Sequence, residues 1–305
     1  MKKISILFSI FISIFNTEAQ DRVVFTSDSV KLYINVKGNG PACLYIHGGP
    51  GCGSYWLEEF MGDSLEQHFQ MIYLDQRGTG NSSSPADKNY SMDRMIKDFE
   101  EVREALNIKQ WLILGHSFGG IPMMGYVTNY PDVISGMIFI NCTLSMNESF
   151  EKSWMPKAIE FAGDSVPAKC LDSALPVYER MIAISPVLNK ENVRWKLFYS
   201  SEENNNKMNE SFRHYKNWNG NFSEIGLEIT DYWKDFRILT PAIKQPVLFY
   251  FGRKDWAIGP EHYKGIEFPN MLLWSSEAGH MPFLEDKNDL VKAICAYIEK
   301  YQFSN

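Results

Sequence analysis

Several things are scarce or missing in this 305-residue chain, and each narrows its function. There are only five cysteines, Cys43, Cys52, Cys142, Cys170 and Cys295. An odd number at irregular spacing is not a disulfide framework, and one or two bridges are the most it allows. Cys43 and Cys142 sit in or beside apolar runs, where a free thiol acts as a small hydrophobe. No C-x-x-C, H-E-x-x-H, Walker or G-x-G-x-x-G pattern occurs. Metal and nucleotide sites therefore have no motif behind them, and no cofactor is expected. Nor is there any run of Lys or Arg, and the formal net charge is −7, so nucleic acid is not expected as a partner. Internal repeats and low-complexity linkers are also missing.

The apolar stretch Ile4–Phe15 follows Lys2 and Lys3 and precedes Thr17-Glu18-Ala19. It falls short of the roughly 20 residues that span a bilayer. A positive start, a short apolar core and a small-residue end read as a cleaved signal peptide over 1–19. The expectation is an exported protein, periplasmic or secreted, with no stable membrane insertion after cleavage.

What the chain has in quantity is core-forming material: hydrophobic residues make up 45 % and aromatics 14 %. Val23–Thr26 and Lys31–Val36 predict an opening antiparallel hairpin around Ser27-Asp28-Ser29. Short apolar runs follow at Cys43–Ile46, Met71–Leu74, Trp111–Leu114, Met137–Ile140, Val247–Phe251 and Met271–Trp274. Helical patterns lie between them. One begins at Ser91, a good N-cap, and repeats Met92, Met95, Ile96, Phe99, Val102 and Leu106 on one face. This alternation predicts an α/β fold, a doubly wound and mostly parallel sheet covered on both faces.

The alternation stops across 143–236. That segment is rich in aromatics, among them Trp154, Trp195, Phe198 and Trp218, and is expected to be a helical lid inserted into a core of 20–142 and 237–305. Within it the asparagine-rich Ser201–Lys207 reads as an exposed turn.

Gly115-His116-Ser117-Phe118-Gly119 joins an apolar strand to a helix and fits the nucleophile elbow G-x-S-x-G. Its outer glycines suit a turn too tight for a Cβ. Ser117 is thus the candidate nucleophile for acyl transfer, which also needs a base, an acid to orient the base, and oxyanion donors. Of the six histidines, His280 alone lies in a glycine-containing loop after the final strand, which makes it the base. Asp255 follows the Val247–Phe251 strand and is the orienting acid. Its place completes the chain order Ser, acid, His. Backbone N–H groups of Phe118 and Gly49 are the expected oxyanion hole. His116 and His47 are assigned packing and structural hydrogen bonding.

His47-Gly48-Gly49-Pro50-Gly51, together with Asp75-Gln76-Arg77-Gly78-Thr79-Gly80-Asn81-Ser82, carries a family resemblance. The chain resembles the α/β-hydrolase superfamily over nearly its whole length, and more narrowly the proline iminopeptidase branch. That resemblance implies a serine hydrolase releasing N-terminal proline or a similar residue from short peptides. It also implies that Asp75 and Arg77 brace the active-site loops. The branch commonly has Gly-Gly-Ser-Trp-Gly at the elbow, where this chain has Gly115-His116-Ser117-Phe118-Gly119. In the branch, lid carboxylates hold the substrate's free amine; Glu148, Glu151, Glu202, Glu203, Glu224 and Glu228 are the acids available here. A carboxylesterase or lactonase with the same triad is the first alternative, and a non-catalytic ligand-binding member of the fold the second.

Overall fold

The computed structural model describes residues 20–213, 215 and 218–303. The expected signal segment 1–19 lies outside them. Eight strands form one sheet in the order β1-β2-β4-β3-β5-β6-β7-β8. β1 (Gln20–Phe25) and β2 (Lys31–Lys37) make the antiparallel hairpin, and β2 lies antiparallel to β4 (Gln70–Asp75). All other neighbours are parallel: β3 (Ala42–Ile46), β5 (Trp111–His116), β6 (Ile134–Ile140), β7 (Val247–Gly252) and β8 (Met271–Ser276).

Every residue of β5 is buried, because helices cover the sheet on both sides. Its side chains sort by the two-residue period of a strand. Trp111 and Ile113 join a core with Ile96, Phe99 and Ile121, from α2 (Met92–Ala105) and α3 (Gly120–Asn129). Leu112 and Leu114 face the other way, onto Leu57 of α1 (Tyr55–Leu65) and Leu290 and Ile294 of the closing helix Lys287–Tyr301. Burying each such side chain contributes about 1.5–3 kcal/mol. Ser91 caps α2 as its sequence implies, its Oγ accepting the Arg94 N–H at 3.4 Å.

Between β6 and β7 the described residues add no strand to the sheet. They form the helices Met155–Ala162, Val177–Lys190 and Glu202–Phe212 with shorter turns between. This insertion has an apolar cluster of its own, including Trp154, Ile184, Leu188 and Leu197. The exposed turn expected at Ser201–Lys207 is instead the start of the helix Glu202–Phe212. Ser201 Oγ accepts the Asn204 N–H at 3.2 Å, and Glu202 and Glu203 sit in the first turn, where the helix dipole favours them. Glu203 also pairs with Lys207 one turn on, at 2.7 Å. Capping and charge outweigh the weak helix propensity of asparagine.

All five cysteines are free, so the bridges that their number allows are not made. Among the described residues no helix is long and apolar enough to cross a membrane.

Arg77, fully buried after β4, holds two carboxylates at once. Its Nε and Nη2 donate to Asp98 at 2.6 and 2.8 Å, and its Nη1 and Nη2 donate to Asp28 at 2.9 and 3.1 Å. Arg94 adds a second cation on Asp98 at 2.7 Å. The cluster ties the β1–β2 turn, the β4 loop and α2 together. Replacing Arg77 by Met leaves Asp98 buried with half its counter-charge, so a loss of about 3–5 kcal/mol is expected in urea unfolding. A loss below about 1 kcal/mol would show that Arg94 alone suffices for Asp98.

Candidate active site

The loops after β3, β4, β5, β7 and β8 meet at the carboxyl edge of the sheet, where open α/β folds place their ligands. Ser117 follows β5 directly and has a left-handed backbone, with φ +58°. That conformation is costly for a residue with a side chain and is held here by its surroundings. A Cβ at Gly115 would lie 2.2 Å from Met123 Sδ, and one at Gly119 would lie 2.2 Å from the Ile46 carbonyl. Only hydrogen fits at either place, so the strand and helix can close onto the turn.

The structure brings Ser117, His280 and Asp255 together. Ser117 Oγ is 2.9 Å from His280 Nε2, and His280 Nδ1 is 2.9 Å from Asp255 Oδ2. The other carboxylate oxygen, Asp255 Oδ1, accepts the N–H groups of Ala257 and Ile258 at 3.0 and 3.1 Å. Asp255 and His280 are each only 2 % exposed. With Asp255 as acceptor, the proton of neutral His280 sits on Nδ1 and the lone pair of Nε2 faces the serine.

The main chain of His280 is fixed too. Its N–H donates to the Phe198 carbonyl at 2.8 Å, and its carbonyl accepts from His116 Nε2 at 2.9 Å. The packing role expected of His116 holds, its buried ring set edge-on against Phe283, and the structure adds this positioning hydrogen bond. Burial, with His280 close by, pushes the His116 pKa well below its ordinary value, so it stays neutral.

Two further residues went unnoticed in the sequence. Asn141, at the end of β6, donates from Nδ2 to the Gly279 carbonyl and accepts the Gly252 N–H at Oδ1, both at 2.7 Å. It thereby joins the loops that carry His280 and Asp255. Glu285 accepts N–H groups from Gly279 at 2.8 Å and from Ser200 at 3.1 Å, linking the His280 loop to the insertion. A lone Asn after a strand and a Glu after a histidine loop carry no signature, because their partners are backbone groups distant in sequence.

The glycine loop lies over the nucleophile. A Cβ on Gly48 would come within 2.7 Å of Ser117 Cβ. Gly49, with φ +115°, lines the cavity beside Ser117, as does Phe118. Any side chain at Gly49 would press on the Gly51 and Cys52 backbone nitrogens, 2.6 and 2.8 Å away. His47 anchors this loop: its Nε2 accepts the Gln76 N–H at 3.1 Å, so Nδ1 carries the proton and donates to the Gly48 carbonyl at 3.0 Å. Asp75 braces the neighbouring loop, accepting the Ser54 and Asn81 N–H groups at 2.9 Å each. Its place and that of Arg77 fit the bracing part implied by the resemblance.

Two lobes open at Ser117. One, of about 310 Å³, runs under the insertion past Trp154, Phe150 and Met181; the other, of about 290 Å³, runs past Trp56, Cys52 and Phe283. Gly49, Ser117, Arg194, Phe198 and His280 line both. No carboxylate lines either lobe among the described residues. Each of the six glutamates that the sequence offered lies elsewhere. Glu148 is engaged by His262 and Arg237, Glu151 by Arg180, Glu202 by Asn192 and Glu203 by Lys207, while Glu224 and Glu228 are exposed. Among the described residues no group of three or more His, Cys, Asp or Glu is arranged to hold a metal.

The family described as alpha/beta hydrolase fold matches residues 41–287. The chain belongs to this family. Curated relatives of this chain include the candidate carbamate hydrolase RutD of Escherichia coli, 32 % identical over 109 residues. That match takes in 36 % of this chain and 40 % of the relative, so the chain spans under half the length of the curated relatives it matches. Among solved structures, a proline iminopeptidase-related protein from Thermus thermophilus aligns with TM-score 0.73 at 21 % identity, covering 92 % of this chain and 98 % of that one. An esterase from Thermogutta terrifontis aligns with TM-score 0.65 at 20 % identity, covering 93 % and 100 %. At such identities both likenesses bear on the fold.

Burial pushes the His47 pKa down to about 4. The unfolded chain, with an ordinary histidine near 6.5, takes up this proton first, so stability falls as pH drops from about 6.5 toward 4. Between about pH 7 and pH 5 the wild type is expected to lose about 2 kcal/mol more than His47→Gln in urea unfolding. Equal losses would mean that His47 protonates freely in the fold.

Proposed function

We propose that this hydrolase cleaves carboxylic esters through an acyl-enzyme on Ser117. The observation that carries the reading is the Ser117–His280–Asp255 relay, with both hydrogen bonds at 2.9 Å, opening into a cavity with mainly neutral, apolar walls. His280 Nε2 takes the hydroxyl proton as Ser117 Oγ attacks the ester carbonyl. The imidazolium that forms is stabilised by Asp255, itself held by two backbone N–H groups. The backbone N–H groups of Gly49 and Phe118 receive the oxyanion; each such donor is worth about 2.7–4 kcal/mol in the transition state. His280 then gives its proton to the leaving alkoxide, and water repeats the cycle to free the acid.

An N-terminal peptidase must hold a substrate ammonium, which costs several kcal/mol to desolvate without a counter-charge. Among the described residues neither lobe supplies a carboxylate for that purpose. The cavity wall therefore favours an ester over the proline peptide that the glycine-loop resemblance implies. The similar proteins include an esterase, a candidate carbamate hydrolase and a proline iminopeptidase-related protein, so the fold by itself does not fix the substrate.

Wild type is expected to label with a fluorophosphonate and to hydrolyse para-nitrophenyl butyrate, and Ser117→Ala to do neither. Asp255→Asn, which puts the His280 proton on the wrong nitrogen, should lower kcat by about 10³–10⁴. Cleavage of proline-β-naphthylamide faster than the butyrate ester would reverse the substrate assignment.

A further inference from the structure

Arg194 stands apart from the other arginines. Arg77, Arg94, Arg103, Arg180 and Arg237 each hold a carboxylate. Among the described residues nothing offers the Arg194 guanidinium a hydrogen bond or a counter-charge. Yet it lines both lobes at Ser117, and apart from the histidines it is the only charged residue among the described residues on their walls. It is solvent-accessible, while the protein packed around it disfavours its charge and lowers its pKa. A cation in that position has somewhere to put an anion and none of its own to pair with.

The backbone that carries it is also held. Arg194 opens the short helical turn Arg194–Leu197, and the next residue, Phe198, accepts the His280 N–H at 2.8 Å. Glu285 fastens the same strip again through Ser200. The guanidinium is thus hung from a backbone bonded directly to the general base of the relay.

Resting on the ester-hydrolase reading, we propose that Arg194 is the anchor for a carboxylate on the substrate. The preferred class is then esters that carry a free carboxylate, such as half-esters of dicarboxylic acids, rather than neutral alkyl esters. Guanidinium suits this work because its planar fork can donate two parallel hydrogen bonds to one carboxylate. Lysine, a point charge, would reproduce only part of the effect.

The test compares matched esters that differ only in charge. One pair, para-nitrophenyl hydrogen glutarate and para-nitrophenyl methyl glutarate, places the carboxylate on the acyl side. The other, para-acetoxybenzoate and its methyl ester, places it on the leaving group. In wild type, kcat/KM is expected to favour the anionic member of at least one pair on the order of ten- to a hundredfold, chiefly through KM. That ratio should fall at least tenfold in Arg194→Met and be partly kept in Arg194→Lys. A wild type that shows no anionic preference in either pair, or a ratio unchanged in Arg194→Met, overturns the proposal. If no ester is cleaved and the fluorophosphonate does not label Ser117, the hydrolase mechanism fails instead. Calorimetric titration of glutarate into Ser117→Ala, against the same variant carrying Arg194→Met, then decides the anion site without turnover. Equal glutarate binding by the two would exclude it.

Discussion

The main chain of His280 is clamped on both sides, its N–H by the Phe198 carbonyl and its carbonyl by the His116 ring. Much at the site depends on this clamp. A base can serve a hydroxyl only while its ring keeps one nitrogen on the acid and the other on the nucleophile, and a loop free to swing would lose both contacts. Here the loop is held from the sheet by His116 and Asn141 and from the insertion by Phe198, while Glu285 bridges it to Ser200 of the insertion. The insertion therefore helps to set the geometry of Ser117, His280 and Asp255 as well as covering the cavity.

Charge is distributed unevenly around this centre. Deep ion pairs such as Arg77 with Asp98 are closed among themselves and leave little field to reach a ligand. His47 and His116 are kept neutral by burial. The acids of the insertion face solvent or are tied to cations away from the lobes. What remains at the cavity is an apolar wall, one relay able to hold a proton, and one unpaired guanidinium. Such a wall is suited to acyl groups, and a single cation in it can favour one charge on a ligand over the other.

The elbow shows why sheet and site cannot be separated. Gly119 lies against the Ile46 carbonyl and Gly115 against Met123, so the strained Ser117 turn is held by the packing of β3, β5 and α3. The strain is borne by a core in which β5 is buried along its whole length. Loosening that core would free the backbone at Ser117 before it touched any reacting atom.

Much of this was legible in the sequence because it rests on short-range rules. Apolar runs of strand length alternating with helical periods gave the sheet, and G-x-S-x-G, an Asp after the β7 strand and a His after the last strand gave the three residues that meet. Local chemistry was misjudged at Ser201–Lys207, where a capping serine and first-turn acids make a helix out of a stretch crowded with asparagine. The positioning residues were out of reach altogether. His116, Asn141, Phe198 and Glu285 act through backbone groups of distant loops, and no spacing along the chain encodes such a meeting. The same holds for Arg194. Sequence determines its charge, but only the packing of the insertion over the sheet puts that charge in the cavity wall and leaves it without a counter-ion.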